Sequence, residues 1–364
     1  MYAGRAEYSR HSILNLQCMT GPGAERRGHL VNWTWDEMVE DFRSLGGIAD
    51  NVSLKTGPNG RGLFAIDPTL PVTIHVPENL LIRSADVAFE GGKFRVKIKQ
   101  RGRESEEAFI EKFENEFSWG GGGREDAALK LRSRSDLPES VRNLLVTEIG
   151  LTNFVREAND ATIEDIFLES RIIRYKNQPV IMSILELVNH GVDGAYFHSE
   201  NGISLTGLFG EEVLTQYANK DPIEVFFNWG FPSAQYVALS LRLQLKFGPH
   251  RIVIGRNVTQ RETRGDYSVP KVRTTENEIS FSYLMLGHAK FPRLAKGIFY
   301  RLMHDLNVPD AEELFDTIRS INTMQFLRLL AALEEGEGAA VRDLRRVVRY
   351  QLEALTQCIG TRQL

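Results

Sequence analysis

Two rhythms of apolar and polar positions alternate along this chain. Period-two stretches predict strands at Thr73-Ile74-His75-Val76, at Phe94-Arg95-Val96-Lys97-Ile98-Lys99 and at Gly202-Ile203-Ser204-Leu205-Thr206. Val52-Ser53-Leu54, the turn Gly57-Pro58-Asn59-Gly60 and Arg61 to Ile66 predict a hairpin. Helical spacing begins at Trp35, Met38, Val39, Phe42 and Leu45. Thr34 with Glu37 three residues on reads as a capping box, and Gly46-Gly47 as the stop. Residues 103 to 169 turn helical, with Ala108, Ile110 and Phe113 on one face and Leu137 to Phe154 and Ile163 to Leu168 as further pieces. The run Gly120 to Gly123 reads as a flexible, exposed break. Residues 196 to 230 read as β-like, including Ile223-Glu224-Val225-Phe226-Phe227, and Ser233 to Leu245 reads as helix. Arg251 to Ile254 is a strand or extended connection. From about 274 the pattern is helical, strongest at Asn322 to Glu335 and Ala339 to Thr356. The expected class is therefore α+β: a β-rich core of short strands, interrupted by a helical insert and followed by helices.

Composition narrows this little. A chain of 364 residues, 42% hydrophobic and 25% charged, has ample core for two or three domains. A net charge of −4 gives no general attraction to nucleic acid or to a membrane surface. The lack of a run of about 18 apolar residues argues against a membrane span, and Met1 to His11 carries no signal-peptide pattern. Cys18 and Cys358 sit near opposite ends, so a reducing, cytoplasmic setting is expected. The eight histidines are scattered, and no metal site is expected. Phosphate-loop, dinucleotide and nucleophile-elbow motifs are missing, since Gly60-Arg61-Gly62 leads into a strand and not a helix. The cluster Arg342, Arg345, Arg346 and Arg349 reads as a solvated helix face.

One stretch stands out. Ile184-Leu185-Glu186-Leu187-Val188 runs into Asn189-His190-Gly191, placing two hydrogen-bonding side chains at the mouth of a core segment. Taken alone it reads as a core segment whose Asn caps a turn and whose His is structural. Its company changes that reading. Gly60-Arg61-Gly62-Leu63-Phe64-Ala65 is followed by Pro77-Glu78-Asn79-Leu80-Leu81, then by Ser170-Arg171, Glu186-x-x-Asn189-His190 and Glu224-Val225-Phe226-Phe227-Asn228-Trp229-Gly230-x-x-Ser233.

In order and spacing these segments resemble the SET-domain methyltransferases, the group with a split SET domain and a helical C-terminal domain typified by the Rubisco large-subunit lysine methyltransferase. The resemblance covers roughly 35 to 245. It implies an irregular arm at 1–31, the two SET parts at 32–100 and 170–250, a helical insert at 101–169 and a helical C-terminal domain at 251–364. It implies S-adenosylmethionine as cofactor, held by Gly62, Leu63, Phe64, Arg171, Glu186, Asn189 and His190. A planar guanidinium such as Arg171 suits the cofactor carboxylate.

The target half departs from the family. Its tyrosine position holds Trp229, whose indole has one donor and no acceptor oxygen. Leu241-Arg242-Leu243 stands where the family has Tyr-Gly-Phe, and Glu186 replaces an Asp. Phe227, Trp229, Leu241 and Leu243 are thus expected along the acceptor channel. Other tyrosines, among them Tyr196, Tyr217 and Tyr236, could supply a hydroxyl from another direction. The function expected is in-line methyl transfer to a nitrogen of a protein or small molecule. The alternative is a catalytically inactive SET-fold protein that binds cofactor or a protein partner.

Overall fold

The computed structural model describes residues 33–97, 101–151, 159–217, 220–256 and 269–356. The chain divides into two units, Met1–Trp33 and Thr34–Leu364, and every helix and strand described belongs to the second. The arm expected at 1–31, Cys18, Cys358 and part of the helix expected to reach Phe154 lie outside the described residues.

Helix α1 (Trp35–Ser44) begins as its sequence demands. The Thr34 side chain accepts from the Glu37 N–H, and the Glu37 carboxylate accepts from the Thr34 N–H at 2.9 Å. Met38, Val39 and Phe42 are buried, and Gly46 turns away at φ +91°. The strand Val72–Pro77 lies between Ile48–Asp50 and Gly202–Gly207, antiparallel to both. Its alternation places Val72, Ile74 and Val76 wholly inside. The hairpin pairs Val52–Gly57 with Gly60–Ala65, in register from Val52↔Ala65 to Gly57↔Gly60.

The insert holds α2 (Glu104–Phe117), α3 (Arg124–Ser135), α4 (Glu139–Thr147) and α5 (Asp160–Arg171). Phe109, Phe113 and Phe117 recur every four residues along the buried face of α2. Asn115 and Glu111 on the same helix bind the backbone of Phe94 and Val96, which fixes α2 to the strand Lys93–Val96.

The structure corrects four sequence expectations. The glycine run is exposed only at Gly120: Trp119–Gly123 is a tight kink joining α2 to α3, with Gly122 at φ +114°, and Trp119 and Gly123 are buried. The Trp119 indole packs 4.5 Å from Phe89 and 4.9 Å from Phe167, and donates to the Gly92 carbonyl at 2.8 Å. Any side chain at 120 would strike the Asn115 carbonyl.

Ile223 to Phe227 belongs to a helix, α6 (Pro222–Trp229). Asp221 caps its start, Pro222 stands at its first position, and Gly230 ends it at φ +88°. These end signals override the β-branched and aromatic composition. Ser233 to Leu245 is not helix but includes the strands Val237–Leu239 and Leu243–Phe247. Leu243, Leu245 and Phe247 in fact keep period two, and the second strand pairs with His250–Ile254 across a turn at Gly248. Finally, Val272–Thr274, Glu278–Phe281 and Met285–His288 are strands, so the helical tail starts only at α7 (Leu294–Asp305).

Helices α8 (Ala311–Glu334) and α9 (Ala339–Thr356) follow as expected. Their core joins Phe315, Ile318, Phe326 and Leu329 to Leu344, Val347 and Leu355. Asn322, fully buried on α8, accepts from the Leu241 N–H at 2.7 Å and donates to Ser240 Oγ at 3.2 Å. That anchor ties the tail to the extended segment after α6. Arg345 is only partly solvated: it donates to the carbonyls of Leu333 and Gly336, closing the end of α8. The α+β layout of short strands, helical insert, further strands and helical tail thus stands, with the tail shorter than the pattern suggested.

Candidate functional site

Gly62 has the tightest surroundings in the hairpin. A Cβ there would collide with the Asn189 amide and stand 3.2 Å from Glu212 Oε1. The glycine therefore admits Asn189, whose Nδ2 donates to the Arg61 carbonyl at 3.3 Å and to Glu212 Oε1 at 2.7 Å. Leu63 and Phe64 point into the core. The Leu63 carbonyl accepts from the Val213 N–H, and the Ala65 N–H donates to the Glu211 carbonyl, both at 2.8 Å. The hairpin edge is thereby sewn to the segment that carries Glu212.

His190 is held at both ring nitrogens. Nδ1 lies 3.2 Å from the Tyr217 N–H, and Nε2 2.8 Å from the Gln235 side-chain amide. Burial pushes its pKa down to about 4, so the ring is neutral at pH 7. The Tyr217 ring packs between His190 and Trp229, at 5.2 and 5.3 Å. Its hydroxyl donates to the Val188 carbonyl at 2.7 Å, and burial raises its pKa. Trp229 spends its one donor on the Ser170 carbonyl, 3.1 Å away at the C-terminal end of α5. Such end carbonyls lack a partner within their own helix.

The other side of the site is charged. Arg171, the last residue of α5, stacks its guanidinium 4.3 Å from the Phe167 ring and donates to Ser170 Oγ at 3.2 Å. Its Nε lies 3.9 Å from Glu186 Oε1, beyond hydrogen-bond length. The Glu186 side chain is fully buried. Burial pushes its pKa up to about 6 against the opposing pull of Arg171. Glu114 of α2 interacts with it and is also fully buried, its pKa raised well above the usual range by burial first and then by Glu186. Neither carboxylate has a hydrogen bond of good geometry among the described residues, nor does Arg171 Nε or Ser118 Oγ. Just before Glu186, Ile184 sits at φ +66°, a costly conformation for a β-branched residue.

Gln235, the partner of His190 Nε2, also lines a cavity of about 150 Å³, together with Lys220, Tyr236, Asp193 and Lys290 among others. Asp193 accepts from the Tyr236 hydroxyl at 2.7 Å and from Lys290 at 2.5 Å.

Most of the residues expected at a site do meet. Gly62 touches Asn189, Arg171 faces Glu186, Trp229 reaches the residue before Arg171, and Tyr217 links His190 to Trp229. Of the four expected channel residues, Trp229 joins them and the other three do not. Leu241, Leu243 and Phe227 belong to the apolar core under the C-terminal helices, and none of the three is among the described residues lining the cavity. Sequence reasoning passed over Arg61, Glu114, Glu212 and Gln235. Arg61 was in view inside Gly-Arg-Gly; Glu114 carried no signal among the other glutamates of α2.

No family model matches this chain, and no curated protein does. Among solved structures, one described as the SET domain of LSMT bound to lysine and AdoHcy is similar. It is 17% identical, covers 89% of this chain and 90% of its own, and has a TM-score of 0.39. At that identity and TM-score it carries nothing further about this chain. Among the described residues no helix is long and apolar enough to cross a membrane, and no cluster of His, Cys, Asp or Glu could hold a metal ion.

Proposed function

We propose that this chain is a methyltransferase of the SET type that uses S-adenosylmethionine and acts on a nitrogen nucleophile of a protein or small molecule. The observation that carries the reading is spatial. Four segments separated by up to about 165 positions, 60–65, 170–171, 186–190 and 224–230, meet around Asn189, Arg171 and Trp229.

The residues present fit the cofactor. The guanidinium of Arg171 has a buried Nε that makes no hydrogen bond and stands 3.9 Å from Glu186, which suits a carboxylate. The Glu186 oxygens are buried without a hydrogen bond of good geometry, which suits an ammonium. The Trp229 ring, which has Lys220 Nζ 5.5 Å from its centroid, has a face of the kind that suits a cation such as a sulfonium. When bound, the cofactor supplies a methyl group on a positively charged sulfur. The chain's part is alignment and exclusion of water: Asn189 fixes the hairpin, and neutral His190 holds Tyr217 and Gln235 in place.

One observation favours a second reading, a cofactor-binding protein without turnover. The Trp229 indole has no acceptor oxygen to place near a methyl group, and its one donor is committed to the Ser170 carbonyl. The two readings separate in one experiment. Purified chain is titrated calorimetrically with S-adenosylmethionine, then incubated with methyl-labelled cofactor and protein and small-molecule panels. Binding with label transfer above a heat-killed control supports the enzyme, binding without transfer supports the second reading, and no heat at millimolar cofactor overturns both.

A further inference from the structure

The cavity beside Gln235 has no part in the function so far. Three pieces of chain frame it: the strand Asn189–Ala195, which carries Asp193; the entry to Val237–Leu239, which carries Gln235 and Tyr236; and the end of Met285–His288, followed by Lys290. The pairing Val237↔His288 brings Tyr236 and Lys290 to one edge, where Lys290 Nζ lies 4.1 Å from the centre of the Tyr236 ring. Gln235 is 4% exposed, and its amide is fixed by Ser233 Oγ at 2.7 Å and by His190. The walls are therefore held by sheet pairing and by a buried hydrogen-bonded amide, a frame that exists before any ligand arrives.

The charges on those walls do not balance. Two ammoniums, Lys220 and Lys290, face one carboxylate, Asp193. The carboxylate is spent: one oxygen accepts from the Tyr236 hydroxyl at 2.7 Å and the other from Lys290 at 2.5 Å. Lys220 is answered less well. Its acid, Glu224, stands 4.0 Å away, beyond hydrogen-bond length, and accepts from Arg256 at 3.3 Å. Arg256, its side chain 5% exposed, also holds Asp221 at 2.8 Å, so both acids at the start of α6 face another cation and neither lines the cavity. The Trp229 ring lies under Lys220 Nζ at 5.5 Å. A ring face attracts the ammonium but offers no oxygen to its N–H donors. The walls thus carry a surplus of one positive charge, two lysines against one aspartate. That surplus suits a monoanion better than a phosphate dianion, and a volume of about 150 Å³ suits a small carboxylate.

We infer that this cavity binds a carboxylate through Lys220, with Lys290 behind it, and that the carboxylate belongs to the methyl acceptor, a small molecule carrying both an amine and a carboxylate. The acceptor role rests on the proposed function; the carboxylate site rests on the cavity and its charges. Lys220 joins the two, since it lines the cavity and stands over Trp229. In the transfer the amine lone pair forms the N–C bond as the S–C bond breaks. The sulfur keeps the bonding pair and becomes a neutral thioether, and the nitrogen gives one proton to solvent.

The test sets glycine, β-alanine and γ-aminobutyrate against ethylamine, propylamine and butylamine, each pair differing by a carboxylate in place of a methyl group. Calorimetry on the full chain, with and without S-adenosylhomocysteine, should show at least one amino acid binding about tenfold more tightly than its matched amine. Lys220→Met should remove that preference and Lys220→Arg should keep most of it; Lys220→Gln takes the place of Lys220→Met if that variant fails to fold. Equal affinity within every pair, binding of neither member at tens of millimolar, or a preference untouched by the loss of Lys220 overturns the inference. Displacement of the amino acid by equimolar inorganic phosphate overturns the carboxylate assignment. A Lys220-dependent preference without transfer of label from methyl-labelled cofactor keeps the carboxylate site and overturns its acceptor role. Transfer to the plain amines as fast as to the amino acids keeps the proposed function and overturns the inference.

Discussion

Glu186 and Asn189 lie three residues apart, yet they belong to regions built on opposite principles. Around Asn189 the polar groups are answered. Its amide binds Arg61 and Glu212, both His190 nitrogens have neighbours, and the Tyr217 and Trp229 donors end on carbonyls. Around Glu186 they are not. The oxygens of Glu114 and Glu186, Ser118 Oγ and Arg171 Nε are buried without a good hydrogen bond. A satisfied network holds a shape, whereas a half-satisfied one raises the energy of the empty site and favours whatever completes it. The contrast assigns framing to the Asn189 side and ligand capture to the Arg171 side.

The sharpest way to break that contrast is to remove Arg171. Arg171→Met leaves the Glu186 carboxylate buried beside Glu114 without its counter-charge, a change expected to destabilise by about 3–5 kcal/mol at pH 8. The sign with pH follows from Glu186. Its folded value, about 6, stands above the ordinary 4.5, so the folded state binds the extra proton between those values. Its burial penalty is in full force above pH 6 and is relieved as pH falls through it. The loss in Arg171→Met should therefore be markedly smaller at pH 5 than at pH 8 in urea unfolding. Equal losses at the two pH values would show that Arg171 acts through packing on Phe167 alone.

A smaller effect is expected on the framing side. Gly62→Ala drives a Cβ into the Asn189 amide, with about 1–3 kcal/mol of overpacking. Asn189→Ala removes the obstacle along with two hydrogen bonds. In the double variant the two losses should fall short of their sum by at least about 0.5 kcal/mol, because the sites share one contact. Additive losses in denaturant titrations would mean that Asn189 is not what Gly62 makes room for.

How much of this was legible depends on how local the signal is. The α1 cap and the Gly57–Gly60 hairpin were readable because the residues that decide them are neighbours in sequence. The segment 222–229 was misread because aromatic and β-branched composition outweighed its Asp221-Pro222 start and Gly230 stop. The segment 233–245 holds strands instead of the expected helix, and the alternation of Leu239, Leu241, Leu243 and Leu245 is the period-two signal that favours them. The glycine run misled for another reason. What fills the space beside Gly121 and Gly123 is Arg61 and Arg171, remote in sequence, and a glycine run looks the same whether it faces water or a guanidinium. The motif pattern brought Asn189, His190, Arg171 and Glu186 into view, but the buried pairing of Glu186 with Glu114 exists only in three dimensions.

The smallest effect belongs to Trp229, the residue that looked most suspicious in the sequence. Its ring keeps company with Tyr217 at 5.3 Å, and its single N–H closes a carbonyl that α5 leaves open. Trp229→Phe retains an aromatic ring and gives up one hydrogen bond, so about 1 kcal/mol of stability should be lost. Affinity for S-adenosylhomocysteine should stay within a few fold, because the framing of Asn189 and His190 does not pass through the indole N–H. If the chain transfers methyl groups, turnover should likewise fall only a few fold, since a donor already bound to Ser170 has nothing to give the acceptor. A hundredfold loss of turnover with cofactor binding intact would put Trp229 in the chemistry and move it from the frame to the reacting centre.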